Sequence, residues 1–198
     1  MQTKPKAKKC KAKDCCNYFI PRNSMHSVCG PVCASKMVRE KREREEAKKL
    51  KEQRRKDRET RDRLKTRSDW IKDAQREFNR YVRLRDRGTC CISCGVVLAL
   101  ESSVGGGYDC GHFRSVGSAP HLRFDPDNAH GQCKKCNRYG AGRVVEYRQG
   151  LVSRLGVDVV ERLESDQSVK HYSTEDLKEI VRTYRAKWKE LAKQSESS

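Results

Sequence analysis

Eleven cysteines constrain the fold of this chain more than any other feature of its sequence. They lie in two groups, one near each end of a highly charged stretch, and none falls within residues 36–87. The count is odd, and the Lys-rich start is followed by no apolar stretch of the kind found in a secretory signal. We therefore expect a reducing compartment, in which clustered cysteines act as metal ligands and not as a disulfide framework.

The strongest pattern is a pair of Cys-x-x-Cys turns, formed by Cys91 with Cys94 and by Cys133 with Cys136. Each short turn directs two thiolates at one ion, and two turns complete the tetrahedron of a structural zinc site. A redox Cys-x-x-Cys pair is the alternative, but it would not need the second turn. The 38 residues between the turns exceed the usual finger loop, so we expect a functional segment there.

A second zinc site is predicted from a looser group near the N-terminus. Its ligands are Cys10, Cys15, Cys29 and Cys33, and either Cys16 or His26 could replace one of them. The segment is too short and polar to form a core of its own, so the ion would supply its folding energy. The remaining cysteines, Cys16, Cys90 and Cys110, are treated as non-ligands.

The composition points to a polyanionic partner. The net charge is +18, the isoelectric point is about 9.6, and only 35 % of the residues are apolar. A basic balance of this size favours nucleic acid. No apolar run reaches the roughly 18 residues of a membrane span, so a membrane role is not expected.

The charge is concentrated in residues 36–87, which carry 22 basic and 12 acidic residues. Residues 36–67 have neither Pro nor Gly, which favours a solvated charged helix or a partly disordered linker. Either form would leave Arg54, Arg55 and Arg58 as candidate contacts to a DNA backbone.

Apolar periodicity predicts further helices over residues 68–85, over 138–164 and after Ser173, with small strands and turns over 88–137. The predicted class is α+β: a small zinc-stabilised core with a long charged helix and an N-terminal zinc knuckle. Four segments are expected: the knuckle in 1–35, the charged helix or linker in 36–77, the core in 78–150, and C-terminal helices that pack on the core in 151–198.

The segment between the Cys-x-x-Cys turns carries a His-Asn-Asn order. It contains Gly-His-Phe-Arg at residues 111–114, Asp-Pro-Asp-Asn at 125–128 and Cys-Lys-Lys-Cys-Asn at 133–137. This order resembles the zinc-containing HNH endonucleases, whose ββα-metal unit is bracketed by Cys-x-x-Cys pairs. The resemblance implies a ββα-metal core here that hydrolyses phosphodiesters.

The resemblance also implies a role for each matching residue. His112 would be the general base, Asn128 would brace the loop and orient the histidine, and Asn137 would bind a catalytic Mg²⁺ or Mn²⁺ ion. Many members have an Asp directly before the His, whereas this chain has Gly111. Asp109 is therefore the candidate carboxylate ligand, with Asp127 and His130 behind it. Arg114 and Arg123 lie near this loop and could clamp phosphate or form structural ion pairs.

Longer strings, among them Gly-His-Phe-Arg-Ser-Val-Gly and Gly-Gln-Cys-Lys-Lys-Cys-Asn, are similar to the NinG (Rap) proteins of lambdoid bacteriophages. That resemblance covers almost the whole chain. It implies a recombination factor in the host bacterial cytoplasm that cuts branched DNA such as Holliday junctions and D-loops, alongside phage or host recombination proteins. Paired incisions would suit a homodimer.

Two other functions fit the same sequence. A non-catalytic, zinc-stabilised protein could hold DNA junctions or load recombinases, as the missing Asp before His112 allows. An RNA-binding zinc protein is supported by charge alone.

Overall fold

The computed structural model describes residues 6–98 and 107–196, and the chain forms two units, residues 1–64 and residues 65–198. The first unit contains strands β1 (Lys8–Lys9) and β2 (Tyr18–Phe19) and helix α1 (Pro31–Leu64). The described part of the second unit contains α2 (Arg67–Arg85), β3 (Tyr108–His112), β4 (Ala129–Cys133), α3 (Val144–Leu155), α4 (Val157–Ser165) and the C-terminal helix α5 (Thr174–Glu196).

Helix α1 is the charged helix that the composition predicts, and it is ordered through Leu64. It starts at Pro31, a residue whose fixed φ and missing N–H suit the first helical position. None of its residues is buried, and its charges pair along the surface, as Arg55 does with Glu52 and Glu59. The boundary predicted at residues 35 and 36 therefore falls inside α1, because the helix begins within the cysteine-rich segment.

Helix α2 begins with a capping box. The side chain of Thr66 accepts from the Asp69 amide, and the Asp69 carboxylate accepts from the Thr66 amide. Trp70, Ala74, Phe78 and Val82 form its buried stripe, as the periodicity predicts. The boundary predicted at residues 77 and 78 lies inside this one helix, and the second compact unit begins at Lys65.

Helices α2 and α5 pack together around aromatic side chains. The rings of Phe78 and Tyr184 meet edge to face with centroids 4.8 Å apart, and Phe124 contacts Phe78 in the same way. Phe78 is fully buried, which stabilises the fold by about 1.5–3 kcal/mol. A second apolar cluster joins α3 and α4 to Ile92, Phe113 and Leu122.

Strands β3 and β4 form an antiparallel hairpin in which Tyr108 pairs with Cys133 and His112 pairs with Ala129. A long loop, residues 113–128, joins them, and a π-helical turn over Lys135–Tyr139 follows β4. The small sheets and numerous helices give the mixed class that the sequence predicts. Within the described ranges, no helix is long and apolar enough to cross a membrane.

Helix α3 packs tightly on the cysteine turn at residues 91–94. A Cβ at Gly150 would overlap the backbone carbonyl of Ile92, so only glycine permits this contact. Glycine weakens a helix interior by about 1 kcal/mol relative to alanine. The close approach therefore fixes α3 against the turn that carries Cys91 and Cys94.

Candidate functional site

The four cysteines of the second unit converge at the base of the β3–β4 hairpin. Cys91, Cys94, Cys133 and Cys136 bring their Sγ atoms within 4.8 Å of one another. The Sγ atoms of Cys94 and Cys133 are 3.7 Å apart, close to the edge of about 3.8 Å that a tetrahedron with Zn–S bonds of about 2.3 Å requires. The amide of Cys133 also donates to Cys91 Sγ at 3.4 Å. This donor set fits a zinc ion.

The N-terminal cysteines converge in the same way, and the structure selects the four that were predicted as ligands. Cys29 Sγ lies 3.7 Å from Cys15 Sγ and 3.6 Å from Cys33 Sγ. Neither predicted substitute belongs to the cluster: Cys16 is exposed, and the ring of His26 packs on Phe19. Cys33 lies in the first turn of α1, so a bound ion would tie that helix to the knuckle.

In each cluster one thiol, Cys94 or Cys10, has a lowered pKa. A backbone hydrogen bond from Val96, with bonds from the neighbouring thiols, lowers the pKa of Cys94 to about 7. Burial raises the pKa of Cys136 in the same cluster. Because zinc binds thiolates, filling either cluster would release protons.

His112 ends strand β3, and its ring packs on Phe78 with centroids 6.0 Å apart. Its Nε2 lies 3.1 Å from the carbonyl oxygen of Arg123. A carbonyl only accepts, so Nε2 carries the proton and Nδ1 carries the lone pair. Burial lowers the pKa of His112, which keeps the imidazole neutral at pH 7. Among the described residues, Nδ1 has no protein hydrogen-bond partner.

Asn128 is fully buried and braces the loop that holds this carbonyl. Its Oδ1 accepts from the Arg114 amide at 2.8 Å. Its Nδ2 donates to the carbonyls of Arg114 and Leu122, at 3.0 Å and 3.1 Å. Because Leu122 directly precedes Arg123, the amide fixes the backbone that contacts His112.

The predicted ligands of a catalytic ion lie together, but they are already bound to protein. Arg138 donates to both carboxylate oxygens of Asp109, and the Asn137 amide donates to one of them at 3.2 Å. Burial opposes ionisation, but these hydrogen bonds keep the pKa of Asp109 below its usual value. Residues 109 and 112 also project from opposite faces of β3, since side chains alternate along a strand.

With Arg138 bound to Asp109, this arrangement does not fit a Mg²⁺ or Mn²⁺ ion. The Arg138 guanidinium is hydrogen-bonded to both oxygens of Asp109, and the described ranges contain no cluster of three carboxylate or imidazole donors. The two reserve candidates are committed elsewhere. Asp127 pairs with Arg162 at 2.7 Å, and His130 Nδ1 faces Arg85 and Arg154 at 3.1 Å and 3.2 Å.

The arginines predicted to contact DNA have three different environments. Arg114 Nη1 donates to the carbonyls of Leu163, Glu164 and Asp166, so this group ties the loop to the end of α4. Arg123 is half-buried, and no acid among the described residues pairs with its side chain. Arg54, Arg55 and Arg58 lie on exposed turns of α1 in the first unit, where Arg55 is ion-paired.

Sequence reasoning missed a buried polar cluster between α2, β4 and α3. Asp86, only 4 % exposed, accepts from Arg85 and from the amide of Gly131 at 2.7 Å. Tyr147 accepts from the His130 amide and donates to the Gly111 carbonyl. Asp86 and Gly131 are 45 positions apart, and Tyr147 and Gly111 are 36 apart, so no spacing signal revealed these contacts. The cluster holds β3 and β4 against the helices.

A family model described as Bacteriophage Lambda NinG protein matches residues 2–196. The chain belongs to the NinG family. Protein ninG of Salmonella phage P22 is 38 % identical over 93 % of each chain. Protein ninG of Escherichia phage lambda is 37 % identical over 96 % of each chain. No solved structure matches the chain.

Membership in the NinG family confirms the resemblance of the sequence to the NinG proteins. It extends over both cysteine clusters, the charged helix α1 and the His-Asn-Asn segment, because the match spans residues 2–196. The candidate site therefore lies within the region shared with the NinG family.

Proposed function

We propose that this chain is an HNH-like, structure-specific endonuclease that cuts branched DNA during phage recombination, with His112 as the general base. The observation that carries the proposal is the neutral imidazole of His112, whose Nε2 is held by the Arg123 carbonyl at 3.1 Å. A histidine with one nitrogen fixed and the other free to accept a proton suits the activation of water.

The chemistry uses one proton transfer on each side of the phosphorus. Nδ1 of His112 takes a proton from water, and the water oxygen bonds to phosphorus as the bond to one strand oxygen breaks. That leaving oxygen takes a proton from solvent. Asn128 supports the reaction indirectly, because it braces the loop that orients His112.

The substrate class is supported by the charge and by the family resemblance. A net charge of +18, more than half of it in residues 36–87, favours contacts to phosphates that are independent of base sequence. The NinG resemblance is what supports branched DNA and partner recombination proteins. A homodimer remains a prediction that follows from paired incisions.

A catalytic Mg²⁺ or Mn²⁺ ion is part of the proposal, with Asp109 and Asn137 as its candidate ligands. In the described arrangement Arg138 donates hydrogen bonds to both carboxylate oxygens of Asp109. An ion could bind there only if Arg138 moved away. The zinc clusters have a different role, which is to hold the hairpin and the N-terminal knuckle in shape.

One observation favours a second function, a non-catalytic protein that binds DNA junctions. The ion pair between Asp109 and Arg138, and the location of Asp109 on the strand face opposite His112, leave no assembled ion site. A protein that only holds DNA would need no catalytic ion site.

The deciding experiment compares cleavage of a labelled four-way junction with cleavage of a linear duplex of the same strand length. Wild type and His112→Ala are assayed without added divalent ion, with Mg²⁺ and with Mn²⁺. Chelators are avoided because they would strip zinc from the cysteines. Zinc content and junction affinity are measured for both proteins, so that a folding defect is recognised.

We expect ion-dependent cutting of the junction by wild type. The His112→Ala rate should fall about 10²–10⁴-fold with binding retained, the usual contribution of a general base. If the wild type binds the junction but cuts it with neither ion, the non-catalytic function replaces the nuclease.

A further inference from the structure

A cavity of about 390 Å³ lies beside the loop that carries Arg123. Its walls come from the start of α2, the loop between β3 and β4, and the segment before α5. Three permanently charged side chains line it: Arg67, Arg123 and Lys170. No acidic side chain from the described part of the chain lines it. We name it the Arg123 cavity.

Several other half-buried arginines of this unit are partnered. Arg85 binds Asp86, Arg114 is held by three backbone carbonyls, and Arg148 binds Glu164. Arg123 has no such partner among the described residues. Burial and the neighbouring charge of Arg67 lower the pKa of the Arg123 guanidinium. Two adjacent cations without an acid form a site that an anion would stabilise.

The neighbouring donors are arranged around this opening. Arg67 Nε donates to the Tyr172 carbonyl at 2.8 Å, which fixes the guanidinium while its Nη groups carry no protein partner among the described residues. Lys170 Nζ lies 4.9 Å from the centroid of the Tyr172 ring. Tyr172 therefore orients both side chains. Arginine forks of this kind bind phosphate oxygens in pairs.

The cavity is linked to His112 through one residue. The carbonyl of Arg123 holds His112 Nε2, and the side chain of Arg123 lines the cavity. A phosphate bound by that guanidinium would therefore be held by the same residue whose carbonyl orients the candidate base. This places a DNA strand beside His112 without any contact to base edges.

We propose that the Arg123 cavity binds a phosphate group of the DNA substrate, through Arg67, Arg123 and Lys170. The inference rests on the proposed function for its choice of DNA as the ligand. The phosphate has two sources, an internal phosphodiester or a 5′-terminal monoester at a strand end. Both present oxygens to the same guanidinium forks, so their recognition chemistry is shared.

The test measures DNA affinity by fluorescence anisotropy, with the full-length, zinc-loaded chain and no added divalent ion. The probes are two four-way junctions of identical sequence, one with 5′-phosphates and one with 5′-hydroxyls. The variants are Arg123→Ala and Lys170→Ala. Arg182→Ala is the matched control, because it removes one charge from an exposed arginine on α5 that pairs with Glu179.

We expect Arg123→Ala to bind about tenfold more weakly than the control, the usual effect of losing one charge-assisted contact. The slope of affinity against salt should fall by about one per lost phosphate contact. Lys170→Ala should act in the same direction. Lys170 is exposed, so its replacement tests the cavity even if Arg123→Ala folds poorly.

The two junctions distinguish the sources. A wild-type preference for the 5′-phosphorylated junction that disappears in Arg123→Ala identifies the terminal monoester. Equal weakening on both junctions identifies an internal phosphodiester. The proposal is overturned if Arg123→Ala and Lys170→Ala match Arg182→Ala in affinity and salt slope on both junctions. Because no cutting is measured, this result is independent of whether the chain proves to be a nuclease.

Discussion

The guanidinium of Arg138 holds both carboxylate oxygens of Asp109, at 2.7 Å and 2.9 Å. Arg148 and Glu164 form a pair with the same two distances elsewhere on the second unit. The two ion pairs are matched in geometry, but only the first includes a predicted ligand of the catalytic ion. They therefore provide a variant and its control.

Replacing Arg138 should expose Asp109 to cations. Because the partly exposed ion pair is weak but competes directly with a cation, we expect Arg138→Ala to bind Mn²⁺ about twofold to fivefold more tightly than wild type. Mn²⁺ binding is followed by electron paramagnetic resonance, independently of cutting. Arg148→Ala should leave the affinity unchanged. Equal affinities in all three proteins would remove Asp109 as the ion ligand.

Cutting should depend on pH through His112. Burial lowers the pKa of its imidazole below the ordinary 6.5, so the neutral base is already formed at pH 7. Single-turnover rates should rise with pH, reach half their maximum below pH 6.5 and level off by neutrality. Zinc content is checked at each pH, since thiolates lose zinc in acid. A half-maximum above pH 7 would exclude this imidazole as the base.

The lowered pKa of His112 also predicts how the free energy of unfolding changes with pH. As the pH falls, the unfolded chain protonates His112 first, because the folded pKa is the lower one. The contribution of His112 to the free energy of unfolding is therefore present above about 6.5 and declines as the pH falls toward the folded pKa.

The cysteine clusters show how much of this site the sequence specifies. All eight proposed ligands converge as predicted, because the geometry of a tetrahedral thiolate site restricts their spacing. Helix α2 was likewise predicted to within one residue at its start, since its apolar stripe and capping residues are local signals. Local chemistry of this kind can be read without knowing the fold.

The ion pairs could not be predicted in the same way. Asp109 and Arg138 are 29 positions apart, and the second unit contains many acids and arginines that could pair at random. Only the hairpin register, with Asp109 opposite Gln132, brings the π-helical turn beneath β3. The packing of Gly150 on Ile92 is equally invisible, because glycine in a helix has several explanations.

Removing Asn128 should destabilise the second unit. Asn128→Ala removes the acceptor of the Arg114 amide, the side-chain donor to the Arg114 carbonyl and one of two donors to the Leu122 carbonyl, all at a fully buried side chain. We expect a loss of at least about 2 kcal/mol in the free energy of unfolding, measured by urea denaturation. Asn79→Ala, a half-buried amide on α2, should cost less than about 1 kcal/mol. Similar losses in both variants would mean that the loop does not depend on this amide.

The zinc content of single-cysteine variants tests the two clusters independently. Wild type should bind about two zinc ions per chain, and Cys15→Ser or Cys133→Ser should each retain about one. Cys16→Ser and Cys90→Ser are the controls, because each removes an exposed thiol directly beside a ligand without entering a cluster. Both controls should keep the full zinc content by elemental analysis.

Cys133→Ser and Cys15→Ser should unfold different parts of the chain. Cys133→Ser removes a thiolate from the end of β4, so the hairpin that carries His112 should lose its protection against hydrogen exchange. Cys15→Ser affects the knuckle, which belongs to the unit of residues 1–64, and should leave protection of β3 and β4 unchanged. If Cys15→Ser also exposed the hairpin, the knuckle would be part of the cooperative unit that supports the candidate site.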